Sequence, residues 1–107
     1  MKIEFEQAYL RELYEEGKAS GKKHRFQPQV IKQYRKAVER LEYASGIEDL
    51  FRISSLNYEK LLGDKEGLES VRVNDQYRIE FKSRIEGEKP HVLTICSIIE
   101  LSNHYKR

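Results

Sequence analysis

The stretch Ser70-Val71-Arg72-Val73-Asn74-Asp75-Gln76-Tyr77-Arg78-Ile79-Glu80-Phe81 decides the fold of this chain. Apolar and polar residues alternate on either side of its centre, which predicts a β-hairpin. A two-residue turn would pair Val73 with Gln76 and would mix apolar and charged side chains on each face. A three-residue turn at 74–76 pairs Val73 with Tyr77 instead. We expect the three-residue turn because it gives one clean apolar face.

The expected register separates the hairpin side chains by chemistry. One face carries Val71, Val73, Tyr77, Ile79 and Phe81, and the other carries Arg72, Arg78 and Glu80. Arg72 and Arg78 then lie directly across from each other, and two like charges in this position cost stability unless an anion lies between them. Two interpretations remain open: both arginines extend into solvent, or together they form a phosphate site.

Length and composition favour one globular domain over residues 1–107, with 38% hydrophobic and 36% charged residues. A single cysteine, Cys96, excludes an internal disulfide and a zinc site built on cysteines, and it fits a reducing cytoplasm. The N-terminal residues contain no apolar run of signal-peptide length, and Val92 to Ile99 is too short to span a bilayer. We therefore expect a cytoplasmic protein without a membrane partner.

Charge is unevenly distributed along a chain whose net charge is only +2. Residues 3–16 contain five acidic residues and one basic residue, whereas residues 17–40 contain eight basic residues and one acidic residue. Candidate RNA-binding side chains in the basic segment are Lys22 and Lys23 in a loop, and Lys32, Lys36 and Arg40 along one helix face. This segment either contacts RNA phosphates or is a solvated surface.

The remaining pattern gives the order of elements. Ile3 and Phe5 predict a first strand, and a helix follows that ends near Gly17. Pro28 begins a second helix with the clearest apolar periodicity of the chain. This order, followed by an antiparallel sheet, predicts an α+β fold with two N-terminal helices packed on a small sheet.

Three expectations concern the second half of the chain. We expect a short strand near Phe51–Ile53, a polar connection over Ser83–Pro90, and an inner strand over His91–Ile99. A C-terminal tail, Leu101–Arg107, then carries His104 and Tyr105 to a position from which it can fold back over the sheet.

RNA cleavage without a metal ion or cofactor needs a base for the ribose 2′-hydroxyl, a cation for the phosphate and an acid for the leaving 5′-oxygen. Glu59 is a candidate base, and Arg78 with Arg72 can hold the phosphate through forked donors. His104 is a candidate acid, because imidazole titrates near neutral pH. Periodicity alone does not bring these residues together.

The segment Leu61-x-Gly63-Asp64-x-x-Gly67-x-x-Ser70 and the hairpin that follows it resemble the signature of HigB toxins, a branch of the RelE/ParE superfamily of toxin–antitoxin systems. The resemblance implies a RelE-like fold and an mRNA interferase, an endoribonuclease that cleaves messenger RNA in the A site of the ribosome. It also implies that the partners are a HigA-type helix-turn-helix antitoxin, the ribosome with its 16S RNA, and mRNA.

The resemblance also assigns individual residues. Arg78 occupies the position of the family arginine that contacts the scissile phosphate. Glu59 corresponds to the base of the related YoeB toxins, and His104 followed by Tyr105 resembles their His-Tyr ending, in which the histidine is the acid. HigB proteins usually place a lysine immediately before Gly-Asp, whereas this chain has Leu62 there and its nearest lysine is Lys60.

Two other functions remain as alternatives. The ParE branch of the superfamily implies a non-catalytic gyrase poison, although a pure binder has no need of His104. Leu62 suggests a third possibility, a catalytically decayed homologue that still binds its antitoxin.

Overall fold

A computed structural model describes residues 1–103, and in this part of the chain five strands form one sheet beside three α-helices. The elements are β1 (Lys2–Phe5), α1 (Ala8–Glu16), α2 (Pro28–Tyr43), α3 (Ile47–Leu50), β2 (Glu59–Lys60), β3 (Glu69–Arg72), β4 (Arg78–Glu88) and β5 (His91–Ser102). Short 3₁₀ turns cover Lys22–His24, Ser54–Leu56 and Gly63–Lys65. The expected α+β class is confirmed. None of the described helices is long and apolar enough to cross a bilayer.

The central hairpin has the register expected from its sequence. Val71 is the Cα partner of Ile79, and the Val73 N–H donates to the Tyr77 carbonyl at 3.0 Å. Asn74 stabilises the three-residue turn, since its Oδ1 accepts the backbone N–H groups of residues 76 and 77, each at 2.8 Å. The three-residue turn and the separation of the two faces are therefore confirmed.

The sheet has the order β1-β5-β4-β3-β2. β5 lies inside the sheet, as its two largely apolar faces predict. β1 is parallel to β5, while the other described pairs are antiparallel. A parallel pair needs a long crossover, and the segment with α1 and α2 is part of it.

The helices cover the apolar face of the hairpin and create the core. Leu10 of α1 and Tyr34 of α2 are fully buried in one cluster with Ile79, and the Tyr34 hydroxyl donates to the Leu10 carbonyl at 2.8 Å. α1 ends at Glu16, and the residue that caps it, Gly17, adopts the left-handed conformation with φ 76°. α2 begins at Pro28 as expected. The opposite face of the sheet is thereby left for polar groups.

The expected polar connection over Ser83–Pro90 is wrong, because β4 continues to Glu88 and is separated from β5 by only two residues. β3 pairs with β4 only as far as Phe81, and β1 pairs with β5 only from Ile95 onward. Residues 85–88 and their partners 91–94 therefore form a two-stranded extension, here called the β4–β5 arm. Side chains on the arm are mostly exposed, so the core imposes no apolar alternation there.

The expected strand at Phe51–Ile53 is also wrong. The segment forms α3, a turn and then the 3₁₀ turn Ser54–Leu56. Leu50 and Leu56 are its fully buried side chains, whereas Phe51 is exposed. Two buried leucines on short turns give neither a helical nor a strand period, which is why the pattern was ambiguous.

Candidate active site

Arg78 is the centre of the polar face. It is only 6% exposed, and its guanidinium is held by protein acceptors. Nε donates to the Ser70 hydroxyl at 2.9 Å, and one terminal nitrogen donates to the Asn57 carbonyl at 2.5 Å. Arg78 therefore does not extend freely into solvent. Such hydrogen bonds fix the plane of the guanidinium, which is the preorganisation that a phosphate-binding group needs.

Glu59 is the second predicted catalytic residue on this face. It lies on edge strand β2 as the Cα partner of Ser70, and its Oε1 is 3.9 Å from a terminal nitrogen of Arg78. The Glu59 side chain is 49% exposed, compared with 7% for Arg78. The fold thus brings together a carboxylate open to solvent and a fixed guanidinium.

Asn57 links these two residues and was not singled out by the sequence analysis. It has φ 42° and ψ 59°, the left-handed conformation, at the end of the turn Ser54–Leu56. Its carbonyl accepts from Arg78, and its amide lies 3.5 Å from Glu59 Oε1, at the limit of hydrogen bonding. Asparagine tolerates this conformation better than other residues with a side chain. This preference of asparagine was the feature of the sequence that could have indicated a left-handed residue at position 57.

Lys65 also reaches the polar face. Its Nζ lies 2.5 Å from Oε2 of Glu80, a carboxylate that is 2% exposed. Glu80 is two residues from Arg78 on β4, so the strand period places both side chains on the same face. Lys65 follows the Gly63-Asp64 turn, and sequence spacing alone gave no sign that this turn folds over the sheet.

Two predicted phosphate-binding residues have other surroundings. Arg72 is the Cα partner of Arg78, but its guanidinium pairs with Asp75 in the hairpin turn. Lys60 is the Cα partner of Glu69 and lies on the opposite face of β2 from Glu59, since successive strand residues alternate. It lines a groove of about 560 Å³ with Tyr58 and Glu69. Burial, reinforced by a hydrogen bond to Glu69, raises the pKa of Tyr58.

The basic residues of α2 lie on the helix layer, on the other side of the sheet from Arg78. Lys32 and Lys36 are exposed and line a groove of about 670 Å³ between α1 and α2, together with Arg35. Arg40 donates to the Ser55 hydroxyl at 2.9 Å. The helix layer therefore separates Lys32 and Lys36 from the Glu59–Arg78 pair, whereas Arg40 contacts the 3₁₀ turn that precedes Asn57.

Lys22 and Lys23 are exposed on the 3₁₀ turn Lys22–His24. The His24 ring stacks on Tyr9 of α1, with ring centroids 3.7 Å apart and an interplanar angle of 5°. Aromatic stacking therefore attaches this basic turn to the helix layer.

His104 and Tyr105, the predicted acid and its neighbour, lie outside the described residues. The described chain nevertheless ends close to the site. Ser102, the last residue of β5, is the Cα partner of Arg78. Among residues 1–103, no group of three or more His, Cys, Asp or Glu side chains is arranged to hold a metal ion.

The sequence matches a family model over residues 3–98, and that family is described as RelE-like toxins of the type II toxin–antitoxin system HigB. No curated protein matches the sequence significantly. Among solved structures, the fold is similar to a YoeB/ParE toxin from Agrobacterium tumefaciens, with a TM-score of 0.56 and 15% identity. That similarity covers 98% of this chain and 100% of the other, and at this identity it concerns the fold alone.

Proposed function

The chain belongs to the HigB-like family of RelE-like toxins from type II toxin–antitoxin systems, and on this premise we propose that it is a ribosome-dependent endoribonuclease that cleaves mRNA in the A site. Membership of a type II system implies an antitoxin partner. We further propose that this partner is a HigA-type helix-turn-helix protein and that the toxin acts in the cytoplasm.

The observation that supports catalysis is the 3.9 Å approach of Glu59 to Arg78. A half-exposed carboxylate can reach a ribose hydroxyl, and a guanidinium held by Ser70 and Asn57 can face the adjacent phosphate. A toxin that only binds a protein target has no need for this pair. Acid–base chemistry on RNA needs both groups within one nucleotide of each other.

The proposed reaction is transesterification followed by release of the downstream RNA. Glu59 removes the proton from the 2′-hydroxyl, and the 2′-oxygen attacks phosphorus. The P–O5′ bond breaks as His104 donates its proton to the leaving 5′-oxygen. Arg78 stabilises the negative charge on the phosphate in the transition state, and Tyr105 positions a base by stacking. The products carry a 2′,3′-cyclic phosphate and a 5′-hydroxyl.

The position of the end of β5 supports the proposed role of His104. Ser102 lies opposite Arg78, and two further residues can extend about 7 Å. The proposal that His104 is the acid is thus supported by the place where the described chain ends, opposite the strand that carries the guanidinium.

The other basic residues are proposed to bind RNA without taking part in the chemistry. Arg72 lies beside Arg78 and can contact a neighbouring phosphate of the mRNA. The other proposed cations do not take part in the Glu59–Arg78 pair and can contact the RNA of the ribosome. They are Lys60, Lys22, Lys23 and the α2 residues Lys32, Lys36 and Arg40. Such contacts contribute affinity that falls with salt.

The test is mapping of message ends after induction of the toxin in growing cells. Wild type should produce discrete cuts within codons of a translated message, and Glu59→Gln should remove them. Glu88→Gln, an exposed carboxylate on the β4–β5 arm, is the matched control and should cut like wild type.

Two results would contradict the proposal. Growth arrest with intact message and damaged DNA would indicate a ParE-like gyrase poison. Absence of both arrest and cleavage, with antitoxin binding retained, would indicate a decayed homologue.

A further inference from the structure

We propose that Asn57 is a positioning residue that sets the orientation of Arg78 relative to Glu59 through its left-handed backbone. The inference rests on the proposed function, because it assigns a purpose to the geometry of the same site. It concerns a residue that touches neither the RNA nor the transferred protons.

The backbone of Asn57 is the first reason. Among residues 1–103, it is the one residue other than glycine with a positive φ. A left-handed conformation is unfavourable for a residue with a Cβ, and asparagine is among the residues that adopt it most readily. Strain of this kind persists where the surrounding structure enforces it, and it is concentrated at functional sites.

The carbonyl of Asn57 is the second reason. It accepts the 2.5 Å hydrogen bond from Arg78, and the direction of a backbone carbonyl is determined by the φ and ψ angles of its residue. An extended or right-handed helical conformation at position 57 would turn this oxygen elsewhere. Ser70 would then be the remaining acceptor that holds the guanidinium among those described above.

The side chain of Asn57 is the third reason. Its amide lies 3.5 Å from Glu59 Oε1, two residues further along the chain. Asn57 thus contacts the proposed base through its side chain and the proposed phosphate ligand through its main chain. One residue connects the two groups that must act on the same nucleotide.

Three substitutions separate the backbone contribution from that of the amide. Asn57→Gly keeps the left-handed conformation and the carbonyl but removes the amide. Asn57→Ala also removes the amide and adds strain to the left-handed backbone. Asn57→Asp tolerates the same backbone but places a second carboxylate beside Glu59.

Cleavage of a model message on purified ribosomes gives the kinetic test. We expect Asn57→Ala to lower kcat at least tenfold with little change in KM, and Asn57→Gly to restore kcat to within about threefold of wild type. We expect Asn57→Asp to move the acidic limb of the pH–rate profile to higher pH, since neighbouring carboxylates favour protonation of one of them. Ile98→Val, a core substitution, controls for loss of stability alone.

A second measurement reports on the geometry without cleavage. The Nε–H proton of Arg78 gives an NMR signal that can be assigned by its loss in Arg78→Lys. This proton should exchange with water faster in Asn57→Ala than in wild type. In Asn57→Gly it should exchange as slowly as in wild type. This result does not depend on whether the protein cleaves RNA.

The outcomes distinguish the two proposals. If wild type does not cleave, or if Glu59→Gln cleaves normally, the proposed function fails and the Nε–H exchange still decides the role of Asn57. If wild type cleaves and Glu59→Gln does not, equal kcat in the Ala and Gly variants with an unmoved pH profile overturns the positioning role. Such a result would leave Asn57 as a turn residue only.

Discussion

Arg72 and Arg78 are Cα partners across the hairpin between β3 and β4, yet their side chains have different partners. Arg72 pairs with Asp75, whose side chain is 97% exposed, whereas Arg78 donates to Ser70 and Asn57. The repulsion expected between two opposed cations is therefore relieved by acceptors within the protein. The pair is chemically unequal despite its symmetric position in the strands.

This inequality predicts different effects of the same substitution. Arg78→Lys should destabilise the protein by about 1–3 kcal/mol, because lysine cannot reproduce the fork that bonds to Ser70 and Asn57. Arg72→Lys should change stability by less than about 0.5 kcal/mol, because its ion pair is exposed. Urea unfolding of both variants measures the difference, and equal losses would contradict it.

The position of Ser102 opposite Arg78 leads to a prediction for the tail. His104→Ala should slow RNA cleavage about 100-fold or more, the usual contribution of a general acid. Stability and antitoxin binding should be unchanged. His91→Ala, an exposed histidine at the start of β5, is the control and should cleave normally. Full activity of His104→Ala in the ribosome assay would exclude it as the acid.

The ion pair between Lys65 and Glu80 is expected to stabilise the fold. Lys65→Ala should lower the free energy of unfolding by about 1–3 kcal/mol, because it removes the cation that pairs with a carboxylate that is 2% exposed. In a Glu80→Gln background the same substitution should cost less than about 1 kcal/mol. A double-mutant cycle by urea unfolding measures the coupling. Strict additivity of the two losses would show that the contact contributes nothing.

Cys96 predicts how stability changes at alkaline pH. Burial raises the pKa of its thiol from 9.0 to about 12, so the unfolded chain loses this proton at lower pH than the folded protein. Stability present below pH 9 is therefore lost as pH rises from 9 towards 12. Cys96→Ala should reduce this slope by up to about 1.4 kcal/mol per pH unit. Unfolding curves at several pH values test this, and identical slopes would contradict it.

Much of the architecture follows from short-range rules. The alternation of Val71, Val73 and Ile79 with polar residues predicted both the length of the turn and the face of the sheet that carries Arg78. Gly17 and Pro28 marked helix boundaries through their own backbone preferences. These predictions succeeded because the signal and the structure it determines lie within a few residues of each other.

The parts that sequence reasoning missed depend on contacts between distant segments. The carbonyl of Asn57 meets Arg78 twenty-one residues away, and Lys65 meets Glu80 fifteen residues away. No periodicity encodes such meetings. Lys60 is a different case, because neighbouring residues of a strand point to opposite faces, and this rule places Lys60 and Glu59 on different faces once β2 is recognised. With only two residues, β2 is too short for that parity to be recognised in the sequence.

Because the β4–β5 arm extends beyond the other strands, the length of the β4–β5 hairpin can change without altering the rest of the sheet. Because each strand repeats every two residues, removing two residues from β4 and their two partners from β5 would leave every remaining side chain on its present face. The tip could thus be trimmed or lengthened in steps of four residues while the core and the Arg78 end of the sheet keep their alignment. A one-residue change in one strand only would instead leave a residue unpaired in a local bulge, as at the irregularity between Glu80 and Phe81.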